Sequence, residues 1–331
     1  MTTPLLTLEH VSLEIPVDGE LRRVVHDVSL HIMPGESVGL VGESGSGKSM
    51  TARSIMRLTR REWVTGGSIL FGGEQVLTMD KSRLQRLRGS QIAMIYQDPR
   101  AHTNPVRTNG DSLLEGMLAQ GIPKSEARAR AVSLLADVGI PDGERRMNQY
   151  PHELSGGLLQ RIMIAAAIST TPDLLLADEP TTALDVTTQE EVIAILNEQR
   201  SERGLSLLLI THDLDLAAAV TDRIAVMYAG VLLEVGSSAD LHERALHPYT
   251  VGLLSSRPEI GSRERIRTIP GRPVSAFEVG PGCVFASRCT HVVEHCLVER
   301  PELRNVNGRE VACHQIEEIQ SHKSASPEVP S

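Results

Sequence analysis

The run Gly42-Glu43-Ser44-Gly45-Ser46-Gly47-Lys48-Ser49 sets two glycines five positions apart and closes on Lys and Ser. Glycines let backbone N–H groups turn inward around phosphate oxygens, and a helix opening behind them offers its positive end. In such a loop Lys48 reaches the β- and γ-phosphates, and the Ser49 hydroxyl serves as a Mg²⁺ ligand. A Gly/Ser-rich turn that binds nothing is the competing reading. Asp178-Glu179 is a second candidate, because it closes the apolar run Leu174 to Ala177. Two carboxylates then stand at a strand C-terminus, where ligands of open α/β sheets collect. Asp178 suits the Mg²⁺, and Glu179 suits a general base that polarises an attacking water; a solvated pair at the start of a loop is the plainer alternative. A third group is Cys283-x5-Cys289-x6-Cys296-x16-Cys313, holding all four cysteines of the chain in its last fifth. It has no CxxC pair, so zinc-ribbon spacing is absent. In a reducing compartment four thiolates in a loop-rich segment suit a [4Fe–4S] cluster or tetrahedral zinc, and free thiols without metal are the third possibility.

The elements that must hold these groups are legible around them. Ser37-Val38-Gly39-Leu40-Val41 reads as a buried strand feeding the glycine loop, and a helix follows from Lys48 with Ala52, Ile55 and Met56 on one face. Strand, loop and helix in that order weigh against the empty turn. Leu174 to Ala177 and Leu205 to Ile210 read as strands buried on both faces of a parallel sheet, with a helix over Thr188 to Arg200 between them. Ahead of the loop, Leu6 to Ile15 alternates and Val24 to Ile32 partly does, as two strands joined by a turn at Asp18-Gly19 would. Helical periodicity runs from about Ser112 to Ser155, strongest over Ala127 to Val138 and broken at Gly139-Ile140-Pro141. Beyond about Pro248 the pattern loosens, and after His322 a Ser/Pro/Glu tail reads as disordered.

Composition narrows the field. The chain has 331 residues, 40% of them hydrophobic, enough for one large core and a smaller appended unit. No stretch approaches the roughly 20 apolar residues that span a bilayer, and Met1 to Glu9 lacks the basic and apolar regions of an export signal, so a cytoplasmic protein is expected. A net charge of −9 with Lys and Arg spread along the chain, and only 2% aromatic residues, argue against nucleic acid as the main partner.

Leu154-Ser155-Gly156-Gly157 followed by Gln160-Arg161, ahead of Asp178-Glu179 and behind the glycine loop, resembles the ATP-binding subunits of ABC transporters. Physically, Ser155 reads as an N-cap and the glycines permit close backbone approach, so this helix start offers a second phosphate site; a plain capped helix is the alternative. His247-Pro248-Tyr249-Thr250, Ile269-Pro270-Gly271 and Gly282-Cys283 with three further cysteines make the dipeptide and oligopeptide permease ATPases the most similar branch. The resemblance spans residues 5 to about 320. It implies an α/β P-loop NTPase fold: a RecA-like parallel sheet core, an N-terminal antiparallel β subdomain, a helical subdomain insertion at about 98–165 and a small C-terminal cysteine-rich extension. The boundaries expected are 1–255 for the ATPase domain, 256–320 for the extension and 321–331 for a disordered tail.

Roles follow from the same resemblance. Ser155, Gly156 and Gly157 grip the γ-phosphate of an ATP held by the opposite subunit, so a homologous ATPase partner, with a heterodimer the common arrangement, completes each site. Gln97, in Tyr96-Gln97-Asp98-Pro99, contacts Mg²⁺ and the attacking water. Asp185, in Ala183-Leu184-Asp185, crosses to the partner, and His212 is the switch histidine. Two transmembrane permease subunits and an extracytoplasmic binding protein are the further partners, and the cysteines hold a [4Fe–4S] cluster. ATP hydrolysis at the inner face of the cell membrane would then power import of di- or oligopeptides. Rival readings are an importer ATPase for nickel or another small solute and a soluble non-transport ABC ATPase. Three positions depart from the family pattern: Leu158-Leu159 after the glycines, Ile15 where an aromatic residue would stack on adenine, and Ala101-His102-Thr103-Asn104-Pro105 in the segment that faces the membrane subunits.

Overall fold

The computed structural model describes residues 3–182, 184–256 and 268–325. Ala183 of the segment expected to cross to a partner lies outside them, as do residues 326–331 of the expected tail. The chain opens with β1 (Leu6–Val17) and β2 (Glu20–Ile32), joined at Asp18-Gly19, where φ is 52° and 84°. Two successive left-handed residues match the twist of a tight hairpin, so this turn does what its sequence advertises. There follow β3 (Ser37–Val41), β4 (Val64–Phe71), β5 (Glu74–Gln75), β6 (Ile92–Ile95), β7 (Leu174–Asp178), β8 (Ser206–Thr211), β9 (Arg223–Tyr228), β10 (Val231–Ser237), β11 (Arg304–Val306) and β12 (Arg309–Val311).

Two sheets result. The first is antiparallel, in the order β2-β1-β4-β5. The second has eight strands in the order β11-β12-β10-β9-β3-β8-β7-β6, parallel from β9 to β6 and antiparallel beyond. Every residue of β3, β7 and β8 is buried, as unbroken apolar runs demand when helices cover both faces. One core lies between the antiparallel sheet and one face of the larger sheet, with Val25, Ile69, Leu40, Ile55 and Leu208 among its members. A second, containing Leu134, Leu159, Ile164, Leu175 and Leu207, joins the opposite face to the helices.

The helical insertion carries helices over Asn109–Ala119, Lys124–Asp137, Gly143–Met147 and Gly156–Ile168. Thr108 opens the first with a reciprocal cap, its side chain accepting from the Asp111 amide while the Asp111 carboxylate accepts from the Thr108 amide. The break expected at Gly139-Ile140-Pro141 falls between the second and third of these helices.

The C-terminal segment is stitched onto the core. β12 pairs with β10, setting Glu234 opposite Val311 and Val235 opposite Glu310. The Glu234 carboxylate accepts from the amides of Leu246 and His247 at 2.8 and 3.0 Å, and His247 in turn caps the helix Pro248–Ser255 by accepting from the Tyr249 amide at 3.0 Å. A chain with only three Phe, four Tyr and one Trp spends three of them in one knot here. The Tyr228 and Tyr249 rings lie 4.7 Å apart, and Phe285 is 5.5 and 5.3 Å from them. The last helix, Ile316–Ala325, runs into the segment whose composition suggested disorder; Ile316 and Ile319 anchor it in a small apolar group with Leu246 and Val311.

Candidate functional site

The glycine loop sits between the end of β3 and the helix Lys48–Ile55. Two of its glycines are obligatory for steric reasons. A Cβ on Gly42 would lie 2.0 Å from the Met227 carbonyl oxygen of β9, and Gly47 has a φ of 100° with Val24 O 2.9 Å from where its Cβ would be. Ser46 is tied down as well, its carbonyl accepting from the Gly230 amide at 2.8 Å. Lys48 is 4% exposed, and its ammonium donates to the carbonyls of Gly42 at 2.7 Å and Glu43 at 3.0 Å. Burial lowers its pKa, against the opposing pull of Glu179, Asp178 and Glu43, so a polyanion arriving here would restore the stability of the charged amine.

Ser49 and Asp178 meet across the sheet, the hydroxyl donating to the carboxylate at 2.7 Å. Burial raises the Asp178 pKa, the reverse of the effect expected once a divalent cation is beside it. One hydroxyl and one carboxylate suit Mg²⁺, which keeps most of its shell as water and substrate phosphate and takes few protein ligands.

Glu179 stands one residue beyond β7 with a φ of 47°, a left-handed conformation that a non-glycine residue adopts against steric resistance and that tends to mark functional positions. Its amide donates to Ile210 O of β8 at 2.9 Å, which fixes the turn. Its carboxylate accepts from Gln97 Nε2 at 2.8 Å and from the Thr182 hydroxyl at 2.9 Å, and His212 Nδ1 is 3.9 Å away. The fold therefore gathers Gln97 from the end of β6, Glu179 from β7 and His212 from β8 around one carboxylate. His212 is 63% exposed, leaving its ring free to approach a ligand. Thr182 is a partner that sequence reasoning missed, although its place three residues after Glu179 carried the signal.

Ser155, Gly156 and Gly157 lie elsewhere. The Ser155 side chain accepts from the Leu158 amide at 3.4 Å as the N-cap of Gly156–Ile168. Among the described residues no hydrogen bond or ion pair joins this segment to the Lys48 group. A Cβ on Gly157 would press the Thr188 methyl at 2.9 Å, whereas one on Gly156 would meet nothing within 4 Å, so the helix start presents open backbone. Leu159 is fully buried in the second core, which accounts for an apolar residue at that departure from the family pattern. Asp185 caps the helix Val186–Arg203, accepting from the Thr188 amide and hydroxyl, both at 2.9 Å, and these bonds lower its pKa. Beside it Val186 is 73% exposed. Ile15 is half-buried on β1 opposite Arg22, and His102 of the altered loop stacks on Tyr96 at 4.0 Å.

The four cysteines line one small pocket of about 10 Å³ together with His247, His291 and His314. That volume holds about one water molecule. Burial pushes the thiols up, Cys283 to about 11 and Cys313 to about 12, with Cys289 shifted the same way, so they are neutral at physiological pH. All four cysteines line this pocket, but among the described residues no group of three or more His, Cys, Asp or Glu is arranged to hold a metal ion.

Comparison with known proteins supplies the family. The family model for ABC transporters matches residues 25–182, and that for the oligopeptide/dipeptide transporter C-terminal region matches residues 233–296. A Brucella melitensis chain provisionally named a peptide import ATP-binding protein is 45% identical over 315 residues, covering 94% of this chain and 95% of that one. The oligopeptide transport ATP-binding protein OppD of Escherichia coli is 42% identical over 305 residues, 91% and 90% of the two chains. Among solved structures, the dimeric ATP-binding cassette MJ0796 in a post-hydrolysis state with ADP and Pi superposes with a TM-score of 0.64 at 27% identity, over 70% of this chain and 98% of that chain. Lys48, the Ser49–Asp178 pair and the carboxylate of Glu179 thus lie at the strand ends of a P-loop NTPase sheet, and the chain belongs to the ATP-hydrolysing, ATP-binding proteins of ABC transporters that carry the oligopeptide/dipeptide transporter C-terminal region.

Proposed function

We propose that this chain is the ATPase subunit of an importer for di- or oligopeptides, held at the cytoplasmic face of the membrane by two permease subunits and supplied by an extracytoplasmic binding protein. Lys48 and the loop amides of residues 42–49 hold the triphosphate. Ser49, Asp178 and Gln97 would hold Mg²⁺, which would supply charge neutralisation on the phosphate oxygens. Glu179 accepts the proton of the attacking water while Gln97 and His212 orient it. A second, homologous ATPase offers its own equivalent of Ser155, Gly156 and Gly157 to this site, and this chain returns the contact. Closure of the pair is driven by ATP because only the closed form engages the phosphate from both sides. Open backbone at Gly156, the exposed Val186 beside Asp185 and likeness to a cassette described as dimeric support that pairing. Relatives named for peptide import, and the matched C-terminal region, support the cargo class over nickel or another small solute.

The observation that carries the mechanism is the carboxylate of Glu179, held by Gln97 and Thr182 at the strand end next to Ser49 and Asp178. Replacing Glu179 by Gln keeps the shape and removes the base. Turnover of the variant should fall by about 10³-fold or more while MgATP still binds; retained hydrolysis would reassign the base. For the cysteines, a [4Fe–4S] cluster held by Cys283, Cys289, Cys296 and Cys313 remains the proposal, with free thiols second and zinc third. The support is that all four share one pocket, and occupancy would require the thiols to lose their protons and the pocket to widen. Anaerobic purification followed by iron and sulfide analysis tests it, and zero iron in such material removes it.

A further inference from the structure

Glu43, the second residue of the phosphate loop, has every polar function engaged. Its carbonyl accepts from Lys48 Nζ at 3.0 Å and from the Ser46 amide at 3.2 Å. Its own amide donates to the Tyr249 hydroxyl at 3.0 Å. Its carboxylate takes both terminal nitrogens of Arg288, Nη1 at 2.7 Å and Nη2 at 3.3 Å. The two side chains are 245 residues apart in sequence, and the Arg288 side chain is only 4% exposed.

Arg288 is itself immobilised. Its Nε donates to Pro270 O at 2.9 Å and its Nη1 to the Tyr228 hydroxyl at 3.3 Å, and its guanidinium carbon lies 5.7 and 6.0 Å from the ring centres of Tyr228 and Phe285. The backbone around it is a tight turn, Ala286–Arg288, set between Cys283 and Cys289; the Ala286 amide donates to Cys283 O and the Cys289 amide to Ala286 O. A planar guanidinium locked on four sides fixes direction as well as charge, which a mobile surface lysine could not do. A solvent-facing carboxylate has no need of so constrained a partner. The residue whose position the clamp determines is Glu43, whose carbonyl accepts from the Lys48 ammonium.

We propose that Arg288 is a positioning residue for nucleotide binding: through Glu43 it holds the phosphate loop in the register at which Lys48 and the loop amides meet a triphosphate. The cysteine segment is thereby mechanically joined to the nucleotide site. The proposal rests on the assignment of Lys48 to the phosphates, and the experiment separates the two.

The test uses the full-length chain and titration calorimetry with MgATP on Lys48→Ala, Glu43→Gln, Arg288→Gln, Arg288→Lys and the double variant Glu43→Gln/Arg288→Gln. The expected result is about a ten-fold rise in Kd for each of Glu43→Gln and Arg288→Gln, with the double variant no weaker than the weaker single, because both remove the same contact. Arg288→Lys should recover only part of the affinity, since it keeps the charge and loses the fork. Glu43→Gln leaves the C-terminal segment intact and decides the matter if Arg288→Gln does not fold. Wild-type affinity in folded Glu43→Gln, or full additivity in the double variant, overturns the proposal. If Lys48→Ala binds MgATP as well as the wild type, the underlying assignment fails instead.

Discussion

The nucleotide site and the cysteine pocket each assemble residues from distant parts of the chain, yet they are built in opposite ways. Gln97, Glu179 and His212 follow the ends of adjacent parallel strands, so sheet hydrogen bonds set their spacing before any side chain interacts. The Glu179 carboxylate is hydrogen-bonded in advance by Gln97 and Thr182. The cysteines stand on loops and a five-residue helix, and burial pushes the thiols of Cys283, Cys289 and Cys313 up. Strand ends can hold charge ready for a ligand because the backbone is already satisfied, whereas a loop pocket without such support closes on itself and keeps its ligands protonated.

That contrast can be broken by adding a single methyl group in each place. Gly42→Ala drives a Cβ against the Met227 carbonyl of a central strand, where nothing can yield, and should cost roughly 3 kcal/mol or more. Gly282→Ala drives one to 2.6 Å from the Cys296 and Leu297 backbone, but in a loop that can shift, and should cost about 1 kcal/mol. Urea denaturation of both variants measures the difference, and equal losses would mean the pocket is as rigid as the sheet.

A smaller effect reads the charge side. Burial raises the Asp178 pKa, so the folded chain binds that proton more tightly than the unfolded chain does. Ionised Asp178 therefore destabilises the nucleotide-free fold above its folded pKa, and this penalty vanishes below the unfolded value. Asp178→Asn should raise the melting temperature at neutral pH by roughly 2–4 °C per kcal/mol relieved, with the gain shrinking as pH falls into the ordinary carboxylate range. Differential scanning across pH without nucleotide checks it. The smallest change is expected of Cys289→Ala in metal-free protein, about 1 kcal/mol or less, as for a small apolar side chain. A much larger drop in iron-containing material would show the pocket to be braced by its ligand.

What the sequence disclosed follows the same division. Residues 42–49, Asp178-Glu179 and the flanking apolar strands are local patterns, and their three-dimensional roles follow from neighbours in the chain. β6 went unread because four residues, Ile92 to Ile95, are too few to show a period. The Ser155 segment reads as a helix cap in the sequence and is one in the structure, with open backbone at Gly156 beside it. The clamp between Arg288 and Glu43 left no trace, since neither spacing nor composition relates two residues that only the folded sheet brings together. Helix Ile316–Ala325 was masked by its polar surface, its order depending on two isoleucines that face Leu246 and Val311.

The pairing of β12 with β10 has a practical outcome for anyone trimming the molecule. A chain cut after Ser255 would strip β12 from β10 and bare edge groups such as the Leu233 carbonyl, which accepts from the Ala312 amide at 2.9 Å, along an otherwise apolar strand. Such an edge recruits strands from other molecules. A minimal cassette made this way should come out of expression as aggregate, and a soluble version would need a substitute hairpin or charged residues along that border.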